Sequence, residues 1–279
     1  MTILQALIIG IVQGLTEFLP VSSSGHIAIL QALFRLRDPG ITFAVAVHIA
    51  TLAAVLVAFW RDVVDIVAGV IGGLFGVLTR RLRAGEVWRR NTGFRTGILL
   101  LVGSLPAGLV GIVFKDAVER LFASLLAVGL MLLVTGALLW LTDRVSARGV
   151  PVREVRPGQA LLIGLFQAAA VAPGLSRSGS TIAGGRLAGL SRDAAARFSF
   201  LLSIPAILGA ALVDLKGLAG VAAANLGNQL IVGMAAAAVV GYLAIRIVMR
   251  FVRAGKLRGF AYYCWAVGLA VIVWQLLAH

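Results

Sequence analysis

Two short polar runs interrupt an otherwise apolar chain, and between them they hold most of its chemistry. In the first, Gln13 and Glu17 stand four residues apart and so share one face of a helix, with Pro20 and then Ser22, Ser23, Ser24, Gly25 and His26 following. The second reads Pro173-Gly174-Leu175-Ser176-Arg177-Ser178-Gly179-Ser180-Thr181. Each break is expected to open into a helix whose first N–H groups lack an intrahelical acceptor and whose dipole favours an anion. Arg177 adds a planar fork of donors matched to phosphate oxygens. Two such helix starts facing each other, with one arginine and several hydroxyls, suit a diphosphate better than a carboxylate or a neutral lipid. Glu17 beside His26 supplies acid–base capacity, and a serine or the histidine could serve as nucleophile.

The elements that must position these residues lie in a membrane. Of 279 residues, 60% are hydrophobic and 13% charged, and the mean hydropathy is +1.01, more apolar surface than a soluble domain of this length could hide. Six stretches are long enough to cross a hydrocarbon layer of about 30 Å as helices: 41–60, 96–114, 122–142, 195–213, 229–249 and 260–278. Four contain no Asp, Glu, Lys or Arg; Arg197 and Arg246 in the other two lie near helix ends and read as headgroup anchors. The start of the chain lacks a basic leading segment and carries Glu17 in its first apolar run, so no cleaved signal is expected. Cys264, the single cysteine, reads as packing.

A net charge of +14 would point to nucleic acid in a soluble protein, but here it sits in loops, and no nucleic-acid partner is expected. Segment 80–95 has six arginines against Glu86, 143–158 has four against two acids, and 250–259 carries Arg250, Arg253, Lys256 and Arg258. The positive-inside rule assigns these to the cytoplasm, which leaves loops 115–121 and 214–228 and both termini outside.

Segments 3–20 and 26–36, and again 159–172 and 181–190, are apolar but too short or interrupted for ordinary crossings, the pattern of a re-entrant hairpin. Gly10, Gln13, Pro20 and Ser22 to Gly25 are echoed by Gly164, Gln167, Pro173 and Ser176 to Gly179 at an offset of 153 or 154 residues. The expected fold is therefore all-α: one polytopic membrane domain over 1–279, with six transmembrane helices plus two re-entrant hairpins. It divides into two inverted repeats, 1–142 with hairpin 3–36 and 159–279 with hairpin 159–190, whose broken tips meet inside the membrane. The extra segment 62–79 is expected along the cytoplasmic surface, with Asp62 and Asp65 solvated.

The run from Gln13 to His26 resembles the Glu/Gln-x-x-x-Glu and Pro-x-Ser-Ser-x-x-His region of the BacA-type undecaprenyl-pyrophosphate phosphatases. Pro173 to Thr181 is similar to their second signature, Pro-Gly-x-Ser-Arg-Ser-x-x-Thr. The resemblance runs over nearly the whole chain. It implies removal of one phosphate from the C55 carrier lipid, which recycles that lipid for peptidoglycan synthesis. It also implies a bacterial plasma-membrane location, a site opening to the outer face, and help from a divalent cation, Mg²⁺ or Ca²⁺. Carried over by position, Glu17 is the essential carboxylate and Gln13 its companion near the metal. Many members have Glu where this chain has Gln13, and an amide can coordinate a cation but cannot take a proton. Arg177 clamps the diphosphate, Ser176, Ser178 and Thr181 add hydrogen bonds, and Ser22, Ser24, Gly25, Gly174 and Gly179 complete the pocket. For the nucleophile, Ser23 activated by His26, direct attack by His26, and water assisted by Glu17 all fit the spacing.

Other readings stand beside these. Glu17 and Arg177 could simply neutralise each other, since an unpaired charge at mid-membrane costs at least about 2.5–3.5 kcal/mol. His48, within span 41–60, reads as a histidine hydrogen-bonded to a neighbouring helix. Broken helices meeting at the midplane also build secondary transporters, so a carrier or flippase of a phosphorylated lipid or organic anion is the alternative function. Oligomeric state stays open, a homodimer included.

Overall fold

The computed structural model describes residues 1–34, 41–146, 148–213 and 227–277. Over these residues the chain is all-helical, with only an isolated bridge between Val150 and Leu190 outside helices and turns. The first hairpin is α1 (Ile3–Phe18) and α2 (Ser23–Leu33), followed by α3 (Ile41–Ala58), α4 (Trp60–Leu78) and the short α5 (Ala84–Arg90). Next come α6 (Thr92–Val113), α7 (Lys115–Phe122) and α8 (Leu125–Thr142). After a 3₁₀ turn at Val152–Glu154, the second hairpin is α9 (Pro157–Ala169) and α10 (Arg177–Leu187), and the chain closes with α11 (Arg192–Val213), α12 (Gly227–Arg253) and α13 (Arg258–Leu277).

Five described helices, α6, α8, α11, α12 and α13, are long and apolar enough to cross a membrane, and they fall on five of the six expected spans. The sixth, 41–60, falls on α3, whose apolar stretch Val45–Ala58 is shorter. Their outward faces are greasy: Leu101, Leu105, Leu109 and Ile112 on α6 and Leu269, Val273 and Leu276 on α13 are all exposed. In a bilayer those faces meet lipid, which makes this a multi-pass membrane protein. Expected loop 115–121 is instead the helix α7, with Asp116 in its first turn, Arg120 in its last and a Lys115–Glu119 pair one turn apart. Most of the expected loop 214–228 lies outside the described residues, as do residues 35–36 of the first hairpin and 278 of the last span.

Segment 62–79 is the body of α4, and it packs on α6 through small residues. A methyl group on Gly69 would lie 2.6 Å from the Phe94 nitrogen, and one on Gly93 would run into the Asp65 carbonyl. The other side of α4 exposes Val67, Ile71, Leu74 and Phe75. Asp62 is not simply solvated: Arg197 of α11 donates to it at 3.0 Å. Arg197 is thus an ion-pair partner as well as an anchor, because a charge near the hydrocarbon is held better against an opposite charge.

Local chemistry explains why the hairpins break where they do. Helix α1 starts on a reciprocal cap, Thr2 with Gln5, and stops at Leu19 because Pro20 has no N–H to continue the ladder. Ser22 caps α2 by accepting from the Gly25 N–H, and Ser176 caps α10 by accepting from the Gly179 N–H. Ser22 reaches its capping position at φ +70, a left-handed conformation that strains a residue with a side chain. In the second hairpin Gly174 takes the left-handed turn, at φ +89, without that strain.

The two hairpins are gripped in matching ways. A methyl group on Gly10 of α1 would collide with the Gly233 carbonyl of α12, and one on Gly164 of α9 with the Gly103 carbonyl of α6. Where the tips cross, the space beside Gly25 is bounded by Gly174 and that beside Gly179 by Pro20. Helices α8 and α13 approach through Gly129 and Gly268, each facing the other's carbonyl. A core containing Phe18, Phe59, Phe198, Phe200 and Val248 fills the region beneath the tips, with Phe18 edge-on to Phe200 at 5.8 Å.

Candidate active site

Glu17 lies on the last turn of α1 and is 7% exposed. Its Oε1 accepts from Arg177 Nη2 at 2.5 Å, across the junction of the two hairpins. Its Oε2 accepts from Ser23 Oγ at 2.7 Å and from Gln13 Nε2 at 3.0 Å, and His48 Nε2 stands 3.6 Å away. The α-helical period places Gln13 over Glu17, and the Pro20 break turns the chain so that the first residue of α2 faces back on the carboxylate. The ion pair considered from sequence is therefore present, but it also carries a hydroxyl and an imidazole that charge neutralisation alone does not require.

The tips touch. Ser24 Oγ accepts from the Gly174 N–H at 3.4 Å, and Ser178 Oγ donates to the Leu19 carbonyl at 3.4 Å. The capping hydroxyls sit beside equivalent neighbours, Ser22 Oγ 3.2 Å from Ser24 Oγ and Ser176 Oγ 3.2 Å from Ser178 Oγ. Gly25, Gly174 and Gly179 stand at the crossing, where a side chain would push the tips apart. Thr135 of α8 holds the second tip by donating to the Gly174 carbonyl and accepting from the Ser176 N–H.

Several residues expected at the ligand also brace the tip. Ser176, Ser178 and Thr181 are buried, and Thr181 Oγ1 spans the Arg177 carbonyl at 2.8 Å and Ser199 Oγ at 2.5 Å. These hydroxyls fix the start of α10, and so the root of Arg177, rather than pointing into open space. Ser23, Ser24, His26 and Arg177 are only partly buried and are the groups a ligand can reach.

His26 departs from the spacing argument. Its Nδ1 is 2.8 Å from the Ser22 carbonyl, its Nε2 is 2.7 Å from the Tyr263 hydroxyl, and its ring stacks on Tyr263. Ser23 is instead bonded to Glu17, because the first turn of α2 sends residues 23 and 26 to different neighbours. Both imidazole nitrogens are engaged, so attack by His26 would first have to break one of these bonds.

Sequence reasoning missed three participants: Tyr263, Thr135 and Ser199. Reading His48 as hydrogen-bonded to a neighbouring helix names the kind of contact but not its partner, Glu17 of α1, 3.6 Å away. The usable signal was an ionisable side chain within an apolar span, which is a functional hypothesis by default. Cys264 is buried with its sulfur near the Pro20 carbonyl, as packing required.

No three His, Cys, Asp or Glu among the described residues converge on a metal position. Gln13 Oε1, however, is buried without a hydrogen-bond partner beside the Glu17 carboxylate. Two hard oxygens from protein, completed by phosphate oxygens and water, are the donor set Mg²⁺ commonly takes. The residues thus fit a cation that the substrate helps to hold.

Fold and site together define a multi-pass membrane protein in which a buried carboxylate meets an arginine and a serine hydroxyl at the junction of two helix hairpins. The family model described as Bacitracin resistance protein BacA matches residues 6–270, and the chain belongs to that family. Among curated relatives, an undecaprenyl-diphosphatase of Halothermothrix orenii is 43% identical over 274 residues, covering 98% of both chains. Proteins of the same name from Desulfosudis oleivorans and Methanosphaera stadtmanae are 44% and 40% identical, each over 97% of both chains.

Proposed function

We propose that this protein hydrolyses undecaprenyl pyrophosphate to undecaprenyl phosphate and inorganic phosphate. The observation that carries the reading is the Glu17 carboxylate with Arg177 on one oxygen and the Ser23 hydroxyl on the other. Full-length similarity to proteins named undecaprenyl-diphosphatase supports the same reaction. A carrier needs the anion clamp but not a hydroxyl held against a carboxylate, so transport is not favoured.

The entering diphosphate competes with Glu17 for Arg177 and takes over its donor fork, while the positive ends of α2 and α10 favour its charge. Glu17, released from the arginine, accepts the Ser23 proton as Ser23 Oγ attacks the terminal phosphorus. The bridging P–O bond breaks and undecaprenyl phosphate leaves with the electron pair. Water then attacks the phosphoserine, its oxygen joining the phosphorus as the P–Oγ bond breaks with the electron pair left on Ser23 Oγ; Oγ regains the proton held by Glu17, and the proton lost by water leaves with phosphate or solvent. His48 stabilises the ionised carboxylate, and His26 with Tyr263 holds the Ser22 turn. A divalent cation held by Glu17 and Gln13 would offset the charge of the diphosphate.

The matched gripping of Gly10 and Gly164, and the two serine caps, support inverted repeats. Hairpin α1–α2 enters from outside and α9–α10 from the cytoplasm. On that reading the arginine-rich loops lie in the cytoplasm of the cell that carries the protein in its plasma membrane, and the site opens outward.

The test is phosphate release from a polyprenyl pyrophosphate by the purified protein, with Ser23→Ala beside it. The wild type releases phosphate and the variant does not. A wild type inert on this lipid would refute the function, and a variant with native turnover would remove Ser23 as nucleophile while leaving the reaction standing.

A further inference from the structure

A second concentration of positive charge lies away from Glu17, on the face that bears the arginine-rich loops. There a cavity of about 800 Å³ opens between the chain following α8, the bases of α9 and α10, and Trp88 of α5. Arg95, Arg148, Arg156 and Arg186 line it against one carboxylate, Glu154. None of the four arginines forms an ion pair among the described residues, and Glu154 itself lies beside Arg153. The cavity therefore holds more cations than counterions.

Arg186 is the telling member. It is 7% exposed, yet its guanidinium is held only by neutral groups: Nη1 donates to the Leu190 carbonyl at 2.7 Å and Nη2 to the Val145 carbonyl at 2.6 Å. Its Nε has no partner. Asp143 attracts it only from beyond ion-pair distance. Removing a guanidinium from water is costly unless an opposite charge compensates, and here the two carbonyls fix the side chain without supplying one.

The base of α9 adds to the same field. Pro157, the first residue of this helix, lines the cavity with Arg156 and Gln159, so the helix's positive end lies at the cavity wall. Gln159 does not neutralise the site, since its Oε1 accepts from the Arg156 N–H and its Nε2 donates to the Ala188 carbonyl. Trp88, partly buried at the rim, and Leu187, 55% exposed, give the cavity an apolar margin.

We propose that this cavity is a second anion site, binding a phosphate-bearing group at the opposite end of α10 from Arg177. Arg186 follows Arg177 by nine residues, about 14 Å along the helix, so the two sites are separate. The group is either inorganic phosphate or the phosphodiester of an anionic phospholipid, which share the chemistry that arginine forks recognise. The proposal does not depend on the hydrolase reading.

The test uses the full chain with Arg177→Gln in place, which silences the clamp at Glu17. Phosphate binding is measured by equilibrium dialysis with labelled orthophosphate. Lipid retention is followed by native mass spectrometry after reconstitution with phosphatidylglycerol or phosphatidylcholine. Adding Arg95→Gln and Arg156→Gln removes two charged donors, neither arginine making a side-chain hydrogen bond or ion pair among the described residues. Binding should weaken about tenfold or more for each. Loss of orthophosphate binding identifies the free anion, and loss of phosphatidylglycerol retention alone identifies the headgroup. If neither changes, the proposal is overturned. Arg148→Gln, on an exposed loop, repeats the comparison with a single change should the double substitution impair folding.

Discussion

Replacing Glu17 by glutamine and by alanine should separate what this residue does for chemistry from what it does for the fold. Three donors converge on the carboxylate, from Arg177 at 2.5 Å, Ser23 at 2.7 Å and Gln13 at 3.0 Å. In Glu17→Gln the amide oxygen can keep Arg177, and its NH₂ meets the other two groups. Ser23 can rotate its hydroxyl to accept, and Gln13 can turn its amide so that the unpartnered Oε1 accepts instead. Arg177 then keeps a hydrogen bond but not its counter-charge, and the unpartnered position passes from Gln13 Oε1 to Nε2, so the loss is chiefly that of one charge-assisted bond, about 1.5–3 kcal/mol. Glu17→Ala leaves Arg177, whose side chain is 17% exposed, without its counterion, a change that typically costs about 3–5 kcal/mol. Adding Arg177→Ala to Glu17→Ala should return about 1–3 kcal/mol of that loss.

Activity should follow a different order. All three variants lose the base or the clamp, so phosphate release should fall about 10²-fold or more in each, whatever the stability. Thermal unfolding in detergent and phosphate release on the same preparations give both readings. Native turnover by Glu17→Gln would refute the proton-accepting role, and strictly additive destabilisation by the two alanines would refute the coupling of the pair.

Three further outcomes are expected. Chelation should stop turnover and Mg²⁺ or Ca²⁺ restore it, and Gln13→Glu should shift the cation titration toward lower concentration, as an added carboxylate strengthens a hard-oxygen site; an unchanged titration would place Gln13 away from the ion. Gly10→Ala and Gly164→Ala should each destabilise the protein by about 1–3 kcal/mol in thermal unfolding, because the added methyl meets a backbone carbonyl of α12 or α6 that cannot rotate aside. Single cysteines at 118 and 150 in a Cys264→Ala background should react with an impermeant reagent from opposite sides, and labelling from one side would refute the assigned orientation.

The parts of this molecule legible in its sequence were those written locally. Pro20 and Pro173 announce the breaks and the apolar runs the spans, because each depends on residues within a turn or two. The Glu17–Arg177 pair could be anticipated across 160 residues only because two similar hairpins implied facing tips. Contacts without such a repeat stayed hidden. His26 finds Tyr263 across 237 residues, Asp62 finds Arg197 across 135, and His48 reaches Glu17 through the rotation of α3 against α1. Helix rotation sets these meetings, and hydropathy carries no record of it. Helix α7 was missed for a different reason: eight polar-rich residues between spans look like any connecting loop.

The glycine contact between α1 and α12 has a consequence for how the chain is made. Helix α1, carrying Gln13 and Glu17, leaves the ribosome before α12, and the surface it docks on is completed only at Arg253. At ordinary rates of synthesis the interval is roughly ten to forty seconds. Through that time the first hairpin has neither its packing partner nor Arg177 for most of the wait, and a helix of 16 residues bearing a carboxylate is poorly suited to lie alone in lipid. The docked position of hairpin α1–α2 is thus complete only after most of the helices that follow it have been made, although its own residues precede them in the chain.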